Sequence, residues 1–355
     1  MNKCIFYDIL FPMTTHTSSD NLFSLGSISM QTNTIHTVHP LSVCFPKGRL
    51  SVVTGVSGSG KTTMILESLI PALQAQLDGK QLPSHVKEIH AEGISQIKLI
   101  DATPIGINIR STVATYANIH DELRKIYAHA PLAKEKGFKA GDFSYNTGSL
   151  RCPTCDGTGK ISLDVQFLPD VDIPCPDCRG SRYGKEAFRV LRKKKDGVTS
   201  TGISLPSLME QSVDEAIEEC SDLPLVRTRL QVLHDIGLGY LTLGEETPGL
   251  SGGEAQRLKL ASEMGRGQDN TIFVFDEPTI GLHPLDVITL LSVFRHLIEK
   301  GATVIVIEHD LDVIRTADYI VDMGPGGGKD GGQIVACGTP ETIRSCKESV
   351  TGRYI

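Results

Sequence analysis

Three short apolar runs predict buried strands of a parallel sheet. They are LSVV (residues 50–53), TIFVF (271–275) and TVIVI (303–307). Uninterrupted apolar character of this kind is typical of strands that are covered on both faces, as in α/β proteins. Because ligands bind at the carboxyl ends of parallel strands, the residues that follow each run are candidates for a functional site.

Two further patterns predict a helix and a ribbon. The segment LSGGEAQRLKLASEM (250–264) has helical apolar periodicity, and Ser251 and Glu254 form a capping box at its start. The segment KISLDVQFLPDVDI (160–173) alternates apolar and polar residues, which predicts a hairpin or β-ribbon. We therefore expect an α/β core with additional, smaller elements in the middle of the chain.

The first apolar run leads into a glycine-rich loop. GVSGSGKT (55–62) matches the pattern G-x-x-x-x-G-K-[ST] between a strand and a helix. Its glycines allow backbone amides to face phosphate oxygens, its lysine neutralises the β- and γ-phosphates, and a hydroxyl can bind Mg²⁺. An ordinary Gly/Ser loop is the alternative, but the flanking strand and helix favour nucleotide binding. The predicted ATP-binding residues are Gly55, Ser57, Gly58, Ser59, Gly60, Lys61, Thr62 and Thr63.

The other two runs end in groups that suit phosphoryl transfer. Asp276 follows the second run and can hold Mg²⁺ together with Thr62, while Glu277 can polarise a water molecule for attack on the γ-phosphate. His309 follows the third run and could contact the γ-phosphate and orient that water. Its alternative role is that of a strand-end histidine beside Asp310, which is a good N-cap for the next helix. The predicted catalytic residues are Glu277, His309 and Asp276.

The start of the predicted helix at 250–264 has an excess of glycine. Capping explains Ser251 and Glu254, but not Gly252 and Gly253 between them. Because glycine has no side chain, the backbone amides at this helix N-terminus are unshielded, which predicts a second anion site on the same chain.

Composition limits the class of protein. The 355 residues are 40% apolar and 22% charged, with a net charge of −7, which argues against a uniformly basic nucleic-acid binder. The apolar opening MNKCIFYDILF lacks a cleavage site, and no apolar run is long enough to span a bilayer, so we expect a cytoplasmic protein without a membrane partner. Five of the nine cysteines are scattered, as expected where thiols stay reduced.

The remaining four cysteines form two pairs. Cys152 and Cys155 precede Cys175 and Cys178, with nineteen residues between the pairs. Two C-x-x-C knuckles at this spacing match a closed tetrahedral Zn²⁺ site, and the glycines that follow allow tight turns with amides facing sulfur. Redox-active pairs are the alternative.

A basic stretch follows the second knuckle. Residues 179–195 contain eight basic residues and one acidic residue, Glu186, which would attract a polyanion such as DNA through counterion release. Within it, RKKKDG (192–197) is better explained as a solvated hairpin tip with an Asp-Gly turn. The DNA-contact candidates are Arg179, Arg182 and Lys185.

The motif LSGGEAQR resembles the signature motif of ATP-binding cassette (ABC) ATPases, and the order phosphate loop, signature, DEP, histidine is also theirs. In that family the signature of one cassette closes on the nucleotide held by another. The resemblance therefore implies a dimer in which the signature residues Ser251, Gly252, Gly253 and Glu254 act in trans. An ABC transporter ATPase is disfavoured by the zinc insertion, and a chromosome-organising ATPase by the lack of a coiled-coil heptad pattern.

Longer segments resemble the UvrA family of bacterial nucleotide excision repair. They are FSYNTGSLRCPTCDGTG, QFLPDVDIPCPDCRGSRYGKEAF, TPGLSGGEAQRLKLASE, DEPTIGLHPLD and VIVIEHDLDVIRTADYIVDMGPGGGKDGGQIVACGTPE. The resemblance extends from about residue 26 to the C-terminus and matches the second half of that two-cassette protein. It implies ATP-dependent recognition of damaged duplex DNA, with ATP, Mg²⁺ and Zn²⁺ as cofactors, and incision by other subunits.

The resemblance implies a division of the chain. We expect an N-terminal extension (1–25), a first part of the ATPase core (26–105), a signature and insertion domain (106–248) with zinc at about 150–195, and a second core part (249–355).

The chain also departs from the family. Ala102 stands where the family has a glutamine that contacts Mg²⁺ and the attacking water, and a methyl group cannot ligate or hydrogen-bond. We expect the first cassette to be absent, and with it the segment that docks UvrB in the family, so that the dimer partner is either an identical chain or a complementary UvrA-like half. The alternative function is a half-size binding protein with weak ATPase activity that gives resistance to DNA-binding drugs or regulates a full-length relative.

Overall fold

The computed structural model describes residues 21–105, 110–163, 171–194, 202–264 and 268–355. The chain forms two compact units: Met1–Asp101 with Gly267–Ile355, and Ala102–Arg266. The predicted N-terminal extension lies outside the described residues except for its last five positions. The predicted domain boundaries stay a prediction. Among the described residues, no helix is both long and apolar enough to span a membrane.

The strands fall into four sheets. In chain order they are β1 (Ser27–Thr32), β2 (Ser42–Pro46), β3 (Leu50–Gly55), β4 (Val86–His90), β5 (Gln96–Ile100), β6 (Lys160–Leu163), β7 (Val171–Pro174), β8 (Leu191–Arg192), β9 (Ile203–Ser204), β10 (Thr271–Asp276), β11 (Thr303–Ile307), β12 (Tyr319–Gly324) and β13 (Gln333–Gly338).

The helices alternate with these strands. They are α1 (Ile70–Leu77), α2 (Val113–Tyr116), α3 (Ile119–Tyr127), α4 (Pro131–Lys136), α5 (Lys185–Arg189), α6 (Leu205–Met209), α7 (Val213–Glu219), α8 (Pro224–Leu233), α9 (Gly252–Met264), α10 (Pro284–Glu299), α11 (Leu311–Thr316) and α12 (Pro340–Ser345). A π-helical segment (Thr63–Leu69) leads into α1, and another (His234–Leu238) follows α8. Short 3-10 turns cover Thr247–Gly249, Gly328–Asp330 and Thr351–Arg353.

The first unit is built on a six-stranded mixed sheet of order β13-β12-β3-β11-β10-β5. Its strands are parallel except β13, which runs antiparallel to β12. The three apolar runs of the sequence are β3, β11 and β10, and they lie side by side in the sheet. Because these three strands run parallel, their carboxyl ends meet at one edge of the sheet.

A second sheet completes the core of the first unit. Strands β2, β1 and β4 pair antiparallel, and their apolar faces join the buried side chains of the six-stranded sheet. Ile28 and Phe45 are fully buried in this cluster, as are Met64 and Ile65 from the helix that follows β3. The segment after the glycine-rich loop is therefore anchored in the main core.

The second unit consists of short helices and two short ribbons. Capping boxes begin several of its described helices, among them α2 with Thr112 and α7 with Ser212. Strands β6 and β7 pair antiparallel, as the alternating pattern predicts, although residues 164–170 between them lie outside the described residues. Its buried side chains include three tyrosines, Tyr127, Tyr145 and Tyr183.

Candidate nucleotide and metal sites

The predicted phosphate loop joins the carboxyl end of β3 to the helical segment that starts at Thr63. Gly58 has a φ of 74°, a conformation that favours glycine. The Lys61 ammonium donates hydrogen bonds to the carbonyl oxygens of Gly55 (2.9 Å) and Val56 (3.0 Å). Burial lowers the pKa of Lys61, although Glu277, Asp322 and Asp276 oppose this effect. The lysine therefore lies within the loop, close to the carboxylates of the neighbouring strand ends.

Acidic groups converge at the end of β10. Burial raises the pKa of Asp276, and the nearby charges of Glu277 and Asp101 raise it further. The negative charge at this strand end suits a hard divalent cation such as Mg²⁺. Thr62, the predicted hydroxyl ligand, is exposed directly after Lys61.

His309 lies beside the predicted catalytic glutamate. Its Nδ1 atom is 3.9 Å from Oε1 of Glu277, and both side chains are accessible to solvent. The histidine follows β11, and Asp310 caps α11 by accepting hydrogen bonds from the amides of Asp312 and Val313. Asp310 caps the helix, and the His309 imidazole stays at the end of the strand near Glu277. The geometry therefore fits both the catalytic interpretation of His309 and its interpretation as a strand-end histidine beside an N-cap.

Glu308 is a buried group that the sequence interpretation missed. Its carboxylate accepts hydrogen bonds from the amides of Thr279 (2.9 Å), His309 (2.7 Å) and Asp310 (3.0 Å), and from the Thr279 hydroxyl. It thereby ties the segment after Glu277 to the segment that carries His309. An acidic residue at the end of an apolar strand was the available signal.

A second missed feature is the glycine-rich loop between β12 and β13, residues 325–332. The Gly328 amide donates to the Gly58 carbonyl (3.0 Å), and the Gly332 amide donates to the Ser59 carbonyl (3.1 Å). A Cβ atom on Gly327 would lie 2.5 Å from the Ser57 carbonyl oxygen, so glycine is required for this approach. The loop of residues 325–332 therefore packs against the phosphate loop and holds its backbone through hydrogen bonds.

The signature motif begins α9 in the second unit. The Ser251 amide donates to Oε2 of Glu254 (2.7 Å) and the Glu254 amide donates to the Ser251 hydroxyl (3.4 Å), which forms the predicted capping box. The Tyr240 hydroxyl also donates to Glu254. Ser251 and Gly252 are exposed, so this helix start is accessible to solvent.

Ala102 lies next to the signature glycines. A Cβ atom built on Gly252 would lie 3.2 Å from the Ala102 methyl group. The departure from the family therefore falls beside the start of α9.

The four paired cysteines form one buried cluster. All of their sulfur atoms lie within 4.8 Å of one another, with 3.9 Å between Cys152 and Cys175 and 3.6 Å between Cys155 and Cys178. Disulfide sulfurs are about 2.05 Å apart. Four sulfurs around Zn²⁺ at about 2.3 Å lie about 3.8 Å apart. The cluster is therefore compatible with a tetrahedral zinc site.

Backbone amides face the cysteine sulfurs. Burial opposes ionisation of Cys155, but hydrogen bonds led by the Gly159 amide lower the pKa of its thiol to about 7. Burial raises the pKa of Cys178 to about 12. Because metal binding requires thiolates, these thiols would release protons when a metal binds.

The basic stretch divides into exposed and buried residues. Arg179 and Lys185 are exposed, whereas the side chain of Arg182 is 4% exposed and donates to Glu246. Burial of Arg182 does not fit its predicted contact with DNA. Arg192 is also buried and binds both carboxylate oxygens of Asp222. Lys195 lies outside the described residues.

No protein-family model matches the chain. Curated relatives include UvrABC system protein A of Bacillus subtilis and of Clostridium perfringens, each 46% identical over 314 residues and 88% of this chain. UvrA2 from Deinococcus radiodurans is similar in structure, with a TM-score of 0.82 and 39% identity over 92% of this chain and 39% of that one. The chain spans about a third of the length of the curated relatives it matches.

The mixed sheet, the helical second unit and these matches define an ABC-type α/β ATPase fold, which confirms the predicted fold class. The four-cysteine cluster within it is compatible with the predicted zinc module. More particularly, the chain is UvrA-like, and the predicted resemblance to that family is confirmed.

Proposed function

We propose that this chain binds and hydrolyses ATP and uses the cycle to recognise damaged duplex DNA, as UvrA-like proteins do. The observation that carries the proposal is the convergence of Lys61, Asp276, Glu277 and His309 at one sheet edge in a UvrA-like fold. This edge is where α/β folds bind their ligands.

Each of these residues has a distinct task in hydrolysis. Lys61 stabilises negative charge on the β- and γ-phosphates, Glu277 accepts a proton from the attacking water, and His309 orients that water. Thr62 and Asp276 would hold Mg²⁺, which when bound would neutralise charge on the phosphates. Glu308 supports Glu277 and His309, because its carboxylate accepts hydrogen bonds from the backbone amides of Thr279 and His309.

The active unit that we propose is a head-to-tail dimer. The signature residues Ser251, Gly252 and Gly253 of one chain would contact the γ-phosphate held by another chain, through amides at the start of α9. The second chain is either an identical copy or a complementary UvrA-like half. A docking site for UvrB is not part of the proposal.

The DNA surface that we propose surrounds the zinc module. Zn²⁺ held by the four cysteines would fix the knuckles, and the exposed Arg179 and Lys185 nearby would contact phosphates. Such contacts are insensitive to sequence, so recognition would depend on the deformability of the duplex.

The test compares ATP turnover of the full chain without DNA, with undamaged duplex and with damaged duplex. We expect turnover to rise with DNA, and most with damaged duplex. An ATP turnover rate that is the same with and without DNA would contradict the proposed DNA-dependent ATPase activity. Solution mass with and without ATP, alone and with UvrB, tests the dimer, and a monomer under every condition would reject the trans-acting signature.

A second candidate is a UvrA-like DNA- and ATP-binding protein that hydrolyses ATP slowly, and that protects against DNA-binding drugs or regulates a full-length relative. Ala102 favours this candidate, because its methyl group replaces an amide beside Gly252. Ala102→Gln should raise turnover if the missing amide limits hydrolysis, and Ala102→Leu controls for size alone. An unchanged rate in Ala102→Gln would contradict this explanation.

A further inference from the structure

Glu246 joins two parts of the second unit that are far apart in sequence. Its Oε1 atom accepts a hydrogen bond from Arg182 Nη2 at 3.1 Å, and its Oε2 atom accepts one from Lys160 Nζ at 2.6 Å. Its side chain is only 22% exposed. One carboxylate thus binds two cations, and both cations come from the zinc-module segment of the chain.

Arg182 is built into the second cysteine knuckle. Its carbonyl accepts the amide hydrogen of Cys152 at 2.9 Å, and its own amide donates to the sulfur of Cys178. Its guanidinium lies over the ring of Tyr145, 5.1 Å from the ring centroid. Movement of the knuckles must therefore move this guanidinium, because backbone and side chain are both held.

Lys160 gives the second connection. It begins β6, directly after Gly159, whose amide donates to the sulfur of Cys155 at 3.3 Å. Each cysteine pair thus has a cation close by that reaches the same carboxylate.

The backbone of Glu246 leads to the signature motif. It forms an antiparallel bridge with Thr112, and its carbonyl accepts the amide hydrogen of Gly249 at 3.1 Å. The 3-10 turn Thr247–Gly249 then connects to Ser251, the first residue of the capping box. Only four residues separate Glu246 from Ser251, and a hydrogen-bonded turn spans three of them.

We propose that Glu246 is a positioning residue that couples the zinc module to the signature loop. A nearly buried guanidinium needs its partner charge, so the Arg182–Glu246 contact resists separation far more than an exposed ion pair does. Displacement of the knuckles is thereby transmitted to the turn that presents Ser251. The role in ATP-dependent DNA binding rests on the proposed function, whereas the mechanical coupling does not.

The first experiment measures amide hydrogen exchange of the zinc-loaded full chain, which reports local opening. Glu246→Gln keeps the shape of the side chain but removes its charge. We expect exchange across residues 247–253 to rise at least about fivefold, while bound zinc stays as in the unchanged chain. Glu186→Gln is the matched control, because it breaks an exposed ion pair with Arg189 in the same unit and should leave this exchange unchanged.

The second experiment uses Lys160→Met, which leaves the Arg182 contact in place. We expect a smaller rise in exchange than in Glu246→Gln. In the double variant that combines Lys160→Met with Glu246→Gln, the rise should be less than the sum of the two single effects, since both contacts share one carboxylate. If Glu246→Gln fails to fold, Lys160→Met carries the same exchange test. Exchange in these variants equal to that of the unchanged chain would overturn the coupling.

The third experiment compares ATP turnover with and without DNA. We expect Glu246→Gln to keep DNA-free turnover and to lose at least about fivefold of the stimulation by DNA. If the unchanged chain is not stimulated by DNA, the proposed function fails and the exchange experiment alone decides the coupling. Altered exchange with full stimulation by DNA would overturn the role of Glu246 in DNA-dependent turnover and leave only the mechanical coupling.

Discussion

The first unit carries its functional groups at the edge of a six-stranded sheet, whereas the second unit carries them on short helices and ribbons around four cysteines. In the first unit, the apolar side chains of β10 and β11 are buried, and carboxylates lie at the carboxyl ends of these strands. In the second, buried ion pairs such as Arg192–Asp222 and Arg182–Glu246 hold the segments together.

The two units should be sensitive to different substitutions. A sheet with an extensive apolar core tolerates changes at its edge, because the edge groups contribute little to folding. Short elements bury less apolar surface and depend on metal, caps and paired charges. Changes at the first site should therefore alter chemistry with little loss of stability, and changes in the second unit should alter stability first.

The largest expected effect is loss of the cysteine cluster. Cys175→Ser should abolish zinc binding and lower the free energy of unfolding of the second unit by more than about 4 kcal/mol. Zinc content and thermal unfolding measure both effects. Cys337→Ser, at an exposed cysteine outside the cluster, is the control and should change neither. Unchanged unfolding without bound zinc would remove the basis of the comparison.

The next effect concerns chemistry in the first unit. Glu277→Gln should lower ATP turnover by about 10²–10⁴-fold because the amide cannot accept the proton from water. Nucleotide binding and the unfolding temperature should stay close to those of the unchanged chain. Turnover and nucleotide affinity are measured side by side, with Glu299→Gln, on the exposed surface of α10, as the control. A loss of stability equal to that of Cys175→Ser would contradict the comparison.

A smaller effect should appear on acidification. Burial lowers the pKa of His120 in the second unit to about 3, and its Nε2 atom lies 2.7 Å from the Tyr183 hydroxyl. The unfolded chain binds a proton here below pH 6.5 or so, and the folded chain does not until about pH 3. Stability should therefore fall as pH drops through this window, by up to about 1.4 kcal/mol per pH unit.

His120→Gln isolates this contribution. Unfolding free energies at pH 7 and pH 5.5 are measured for both chains, and the variant should lose less stability between these pH values. His309→Gln is the control, since that side chain is exposed in the first unit. Equal acid sensitivity of His120→Gln and the unchanged chain would show that burial of this histidine contributes nothing.

The smallest effect concerns DNA contacts. Lys185→Ala should make the negative slope of log affinity against log salt shallower by about 0.9, because one phosphate contact is lost. Arg179→Ala should act in the same way, while Lys329→Ala removes an exposed cation from the first unit as a control. The measurement is a salt titration of DNA affinity. Slopes that match the control would leave these two residues outside the DNA surface.

Local patterns predicted the elements that depend on neighbours in sequence. The apolar runs became β3, β10 and β11 because burial on both faces leaves a continuous apolar signal. The cysteine spacing predicted one cluster, because each knuckle is a local turn. The capping box of α9 was likewise predicted, because Ser251 and Glu254 are only three positions apart.

Contacts between distant segments escaped prediction. The sequence marks residues 325–332 as glycine-rich, but only the pairing of β12 with β3 brings them onto the phosphate loop. Arg182 was predicted to contact DNA because a cluster of basic residues indicates an exposed surface. Its burial depends on Glu246, 64 positions away, which no local pattern connects to it.

The three central strands, the phosphate loop, the cysteine pairs and the signature helix are visible in the sequence, since each leaves a pattern within a few neighbouring residues. Which charges are exposed and which are paired in the interior became clear only from the folded chain. The physical reason is that a charge stays buried only beside a partner, and the partner is chosen by packing rather than by sequence distance. Glu246 and Glu308 owe their positions to that choice.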